Sequence, residues 1–102
     1  MSEQYTPEHW VVLKINDDPL YKVLGGWRGG YLGSDSYQIN SGIASVEQQG
    51  EYLVFVGVSG SRYICHPDNY GMRGLYLTGI QDRLVEVGCE LLSSHTDWLN
   101  LV

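Results

Sequence analysis

The chain has 102 residues, enough for one domain with its own core and little surplus stability. Hydrophobic residues make up 43%, too many for a disordered chain, and thirteen Gly and eight Tyr point to many turns and amphipathic rings. Twelve acids against six bases give a net charge of −6, which disfavours direct nucleic-acid binding, since phosphate contacts need a positive field, and serves solubility or a basic partner.

The N-terminal stretch has neither a basic n-region nor an apolar h-region, and no apolar run approaches a membrane span. The expectation is a cytoplasmic protein with no membrane partner and with Cys65 and Cys89 as free thiols. Residues 1–8 are polar and read as a loose arm. His9–Asn16 alternates, with Trp10 and Val12 on one face and Val11, Leu13 and Ile15 on the other, so it predicts a strand buried on much of both faces. Asn16-Asp17-Asp18-Pro19 is a turn, and Tyr21–Leu24 begins a second strand.

Residues 25–36 hold five glycines, which break a regular strand and permit bulges, positive φ and close approach of another group. A third strand is expected from Tyr37 to Val46, with a bulge at Ser41-Gly42. Glu51–Ser59 is the strongest strand, apolar on both faces and suited to a central position. Gly60-Ser61 fits a two-residue hairpin turn, which pairs Val58 with Tyr63, Val56 with Cys65 and Phe55 with His66. That register puts Cys65 on the valine face and Arg62 with His66 on the other.

Beyond His66–Gly71 the period changes. Leu77, Ile80, Leu84 and Val87 recur at helical steps, Thr78 with Gln81 resembles a capping box, and Gly88 is a helix stop. Cys89–Ser93 and Trp98–Val102 then read as a closing hairpin. The sum is a single α+β domain: an antiparallel sheet of about six or seven short strands, one amphipathic helix near residues 78–87 and a C-terminal hairpin.

The glycine cluster is not a phosphate loop. No G-x-G-x-x-G register exists between Gly25 and Gly33, Tyr31-Leu32 stands where a P-loop needs Lys-Ser/Thr, and a strand follows rather than a helix. Arg28, Tyr31 and Asp35 instead have the character of a binding surface, because aromatic anchors beside an arginine make interface hot spots, while Trp27 and Tyr37 are read as core. Arg62, His66 and Tyr70, with Arg73 nearby, form a second polar–aromatic group suited to anion or partner contact. Cys65 and His66 cannot form a nucleophile–base pair, since adjacent strand residues face opposite ways. Cys65, His66, Cys89 and His95 lack zinc-ligand spacing, no two acids are marked as a facing pair, and no cofactor is implied. Asp82, Glu86 and Glu90, spaced by four, line one side of the helix and its exit as a wet face or an acidic patch for a basic partner.

The pattern Trp27-x-Gly-Gly-Tyr31-Leu32-x-x-Asp35-Ser36-Tyr37-x-x-Asn40-Ser41-Gly42-Ile43, followed by Ser59-Gly60-Ser61-x-Tyr63-x-Cys65-His66, resembles small uncharacterised proteins carried by phages and other bacterial mobile elements. The resemblance transfers no functional residue. By context it implies an inhibitor of host defence, such as an anti-CRISPR protein or a sponge for a nucleotide signal. The expectation is therefore a non-enzymatic binding protein that inhibits or sequesters a host protein or complex through Arg28, Tyr31, Asp35, Arg62, His66 and Tyr70. The alternatives are a nucleotide sponge working as a homo-oligomer and an enzyme with an unfamiliar site.

Overall fold

The computed structural model describes residues 3–15, 18–29 and 35–102, and its fold is α+β. The described strands are β1 (Gln4–Tyr5), β2 (His9–Lys14), β3 (Tyr21–Trp27), β4 (Ser36–Ile39), β5 (Ile43–Gln49), β6 (Tyr52–Gly57), β7 (Arg62–Cys65) and β8 (Glu90–Leu91), with helix α1 at Leu75–Glu86. They form two four-stranded sheets, ordered β1-β7-β6-β5 and β4-β3-β2-β8. The pairing is antiparallel except for β1 on β7. Eight strands in two sheets replace the single sheet of six or seven expected from the sequence. No helix among the described residues is long and apolar enough to cross a membrane.

The second sheet arises because the expected third strand turns a corner instead of bulging. Asn40 is buried; its backbone N–H donates to the Val23 carbonyl, and its side-chain Oδ1 accepts from the Val23 N–H at 2.9 Å. The side chain thus replaces a ladder partner and lets the backbone leave β3. Gly42 follows at φ +134°, and a Cβ there would stand 2.7 Å from Leu20 Cδ1. The chain enters the other sheet as β5, where the register shifts between Ile43 and Ser45.

Strand β2 has the two apolar faces its alternation predicts. Trp10 and Val12 join Val23, Ile43, Leu53, Phe55, Tyr63, Cys65 and Trp98 in the core between the sheets. Val11 and Leu13 join Leu24, Met72, Leu77 and Cys89 in a second core under α1, flanked by Ile80 and Leu84. The layers are therefore sheet, sheet and helix. Gly26 sets the last spacing: a Cβ there would meet Leu77 Cδ1 at 2.8 Å.

The helix begins at Leu75, three residues before the start expected at residue 78. Gly74 is its N-cap at φ +86°, and Thr78 lies inside, its hydroxyl donating to the Gly74 carbonyl at 2.6 Å, so no capping box forms. Val87, expected on the buried stripe, lies past the helix end and is exposed. In place of the C-terminal hairpin, Glu90–Leu91 pairs with β2, and a 3-10 turn at Trp98–Asn100 seals the first core with Trp98.

The β6–β7 register also differs from expectation. Phe55 pairs with Tyr63 and Leu53 with Cys65, because the connection is the three-residue loop Val58–Gly60, closed by Gly57 N–H donating to the Ser61 carbonyl at 2.7 Å. Gly60 takes φ +94° at its last position, a standard three-residue solution. Cys65 therefore faces the core beside Phe55, not the valine side, and Arg62 stands beside Val56.

The arm at residues 3–8 is tied down, contrary to expectation. Gln4–Tyr5 pairs with Arg62–Tyr63, Glu8 N–H donates to the Gly26 carbonyl, and Trp27 Nε1 donates to the Thr6 carbonyl at 3.1 Å. Tyr5 packs on Tyr63 and Trp27, and the buried Pro7 lies against Gly25. Gly26→Val is expected to lower stability by about 1–3 kcal/mol despite the β propensity of valine, because the added carbons must displace the buried Leu77. The urea midpoint of the variant against wild type measures it.

Candidate binding surface

The helix-facing side of the second sheet carries an exposed aromatic and cationic group at the end where α1 begins. Tyr37 of β4 is paired with Gly26, and Ile39 with Leu24, so both share the face that α1 covers. The helix does not reach far enough to bury them: Tyr37 is 43% and Ile39 36% exposed. Tyr76, in the first turn of α1, stands 6.3 Å from Tyr37 between ring centroids and is 47% exposed, and its neighbour Leu75 is 96% exposed.

Two arginines border these apolar side chains. Arg28 follows β3 and lies over the N-cap, with its Nε 3.0 Å from where a Cβ on Gly74 would stand. Arg73 precedes that glycine. Both are exposed, and neither has an ion-pair partner among the described residues. His9, paired with Gly26 on the same face, feels both: burial first, then the Arg73 and Arg28 charges, hold its pKa below the ordinary 6.5, with Glu8 opposing. Its Nδ1 is buried without a hydrogen-bond partner, so a proton there would have no acceptor.

The residues expected to form a site divide. Arg28 and Asp35 belong together: Asp35 Oδ1 accepts from the Gly29 N–H at 2.8 Å and closes the loop beside Arg28. Tyr31 lies outside the described residues. Arg62 is on the other sheet, paired with Glu47 at 3.4 Å across the valine side of β6. His66 caps the Pro67–Asn69 3-10 turn: its Nδ1 accepts from the Asp68 N–H at 3.1 Å, its Nε2 lies 3.6 Å from Glu51, and its ring meets Tyr52 edge-on.

Tyr70 is partly buried and packs against the core. Its ring packs on Trp10 and Trp98, and its hydroxyl donates to the Leu92 carbonyl. Arg62, His66 and Tyr70 are thus each engaged within the fold, and Arg73 sits with Arg28 rather than with them. Tyr37, expected in the core, is at the surface, whereas Trp27 is half-buried against Tyr5.

Read alone, the sequence marks none of His9, Leu75 and Tyr76 as surface-site residues, and it groups Arg73 with Arg62, His66 and Tyr70 rather than with Arg28. The available signal was phase: Leu75 and Tyr76 fall off the stripe of Leu77, Ile80 and Leu84, so on a helix starting at residue 75 they are apolar groups with no core to enter.

Burial raises the Cys65 thiol far above its usual range, and raises Tyr63 to about 12, so neither is poised to ionise near neutrality. The described residues form no pocket, and no three His, Cys, Asp or Glu side chains among them gather as a metal ion would require. No protein-family model, curated protein or solved structure matches the chain.

A histidine whose folded pKa lies below its unfolded value binds fewer protons folded than unfolded. His9 therefore contributes no pH dependence well above 6.5 and subtracts stability as the pH falls through 6.5 towards its lower folded value. The urea midpoint of wild type is expected to fall faster with acid below pH 6.5 than that of His9→Gln, with the two curves parallel above it.

Proposed function

We propose that this protein is a non-enzymatic binding protein that inhibits or sequesters a component of a bacterial host, and that Arg28, Tyr37, Arg73, Leu75 and Tyr76 form its contact surface. The observation that carries the reading is one exposed patch that combines two tyrosines and a leucine with two arginines lacking carboxylate partners among the described residues. Such patches make interfaces because aromatic rings bring large contact area at low entropic cost and arginine makes directional, charge-assisted bonds. Exposed apolar side chains grouped this way cost solubility when nothing covers them. The resemblance to small mobile-element proteins agrees with a host component as the target.

Arg28→Ala and Tyr76→Ala remove exposed groups, so the thermal midpoint is expected to stay near the wild-type value. Affinity for the captured host component is expected to fall by about 30-fold in each, the scale of a hot-spot loss of roughly 2 kcal/mol. Arg62→Ala is expected to bind as wild type does. Quantitative capture from a bacterial lysate, with mass spectrometry, compares the three. Equal capture by Arg28→Ala and wild type would remove this surface from consideration.

A further inference from the structure

Strand β4 is an edge, and its hydrogen-bond phase can be read from its neighbour. Asn40 N–H donates to the Val23 carbonyl, and antiparallel ladders alternate between bonded and non-bonded pairs. In the register Leu24 to Ile39, Gly25 to Gln38, Gly26 to Tyr37 and Trp27 to Ser36, the bonded positions on β4 are then Gln38 and Ser36. The N–H and C=O groups of Tyr37 and Ile39 point away from β3, and no strand among the described residues takes them. These two residues also carry the exposed side chains on the helix side.

Natural sheet edges are commonly blunted by charge, proline or a bulge. Ser36-Tyr37-Gln38-Ile39 has no charge and no proline, and its pairing to β3 is regular. The edge offers open backbone groups at alternate positions, apolar side chains at those same positions, and two arginines beside the start of α1.

We propose that β4 accepts an extended, acidic segment of a partner protein as an added strand. Backbone groups of Tyr37 and Ile39 bond the incoming strand, its apolar side chains lie against Tyr37, Ile39, Leu75 and Tyr76, and its carboxylates meet Arg28 and Arg73. Charge complementarity selects this occupant. In a chain of net charge −6, Lys22 and Arg62 are ion-paired and Lys14, Arg28, Arg73 and Arg83 have no carboxylate partner among the described residues; of these four, Arg28 and Arg73 are the two at the start of α1, on the side of the sheet that carries Tyr37. Strand addition supplies affinity through the main chain and specificity through alternate side chains. The proposal rests on the surface reading above and names the partner class for it.

The test selects a displayed random-peptide library against the full chain. Enriched peptides are expected to carry their apolar residues and their Glu or Asp on the same alternate positions, so that both fall on the helix side of the sheet where Tyr37, Tyr76, Arg28 and Arg73 lie. The best of them, made synthetically, should bind at least about tenfold more tightly than its version with Lys for each acid, and should weaken as salt rises. N-methylation of its alternate backbone nitrogens should abolish binding, and Ile39→Pro, which removes an outward N–H and leaves the bonds to β3, should weaken it about tenfold. On binding, the amides of Tyr37 and Ile39 should gain protection from hydrogen exchange.

Enrichment of basic or neutral peptides, no enrichment above background, or affinity that survives N-methylation overturns the proposal. A dimer in sedimentation equilibrium that Ile39→Pro dissociates overturns it by assigning the edge to a second copy of this chain. If the peptide arms fail while lysate capture still depends on Arg28 and Tyr76, strand addition falls and the surface reading stands. If that dependence is also absent, both fall.

Discussion

Strand β2 has water on neither of its apolar faces, and the rest of the molecule is arranged to keep it so. Trp10 and Val12 require a second sheet, while Val11 and Leu13 require a helix. Trp10 is the most demanding of these residues, because its indole N–H must find an acceptor inside a core. It donates to the His66 carbonyl at 2.7 Å while its ring is boxed by Phe55, Tyr70 and Trp98. An unmet indole N–H would cost about 1–3 kcal/mol, so the segment after β7 is held as firmly as a strand would be. Tyr70 repeats the device from the other side: its hydroxyl reaches the Leu92 carbonyl and couples the tail of the chain to β2.

The candidate surface is a by-product of this arrangement. Gly26 lets Leu77 approach the sheet, and that approach fixes where the first turn of α1 lands. It lands beside the end of β3, where Arg28 lies over Gly74, a position at φ +86° whose Cβ would stand 3.0 Å from the Arg28 Nε. Leu75 and Tyr76 then overhang the sheet next to β4. Tyr37 stands on β4, paired to β3, and Leu75 and Tyr76 on α1, held by the second core, while Arg28 and Arg73 sit in the short segments that flank β3 and the N-cap.

Periodicity made β2, β3 and β6 legible, along with both faces of β2 and the middle of α1, because each rests on side chains within a few positions of one another. The corner at Asn40–Gly42 was not legible, since it depends on a side-chain oxygen replacing a backbone one and on Leu20, distant in sequence, filling the space above a glycine. The β6–β7 register failed for a related reason: Gly60-Ser61 fits a two-residue turn locally, but Tyr63 and Cys65 belong to the core that Phe55 enters. Of the candidate site, Arg28 and Asp35 were singled out through their glycine-rich setting. His66 and Tyr70 were misread because a polar–aromatic loop looks the same whether its rings face solvent or a tryptophan. Arg73 and Tyr76 could not be joined to Arg28 without knowing how α1 docks.

The box around Trp10 also orders events in time. Its walls come from residues 55, 70 and 98, so the first long strand of the chain is made well before the last wall. At roughly 5–20 residues per second, about 4–18 s separate the synthesis of Trp10 from that of Trp98. Throughout that interval β2 has no complete enclosure, and the contacts that close it are among the most distant in sequence. Folding of this kind is slow relative to helical domains of equal size, and its early products expose the surfaces on which chaperones and aggregation act. Until Trp98 is made, the Trp10 ring lacks one of its three aromatic walls, and the core between the sheets lacks one of its buried side chains.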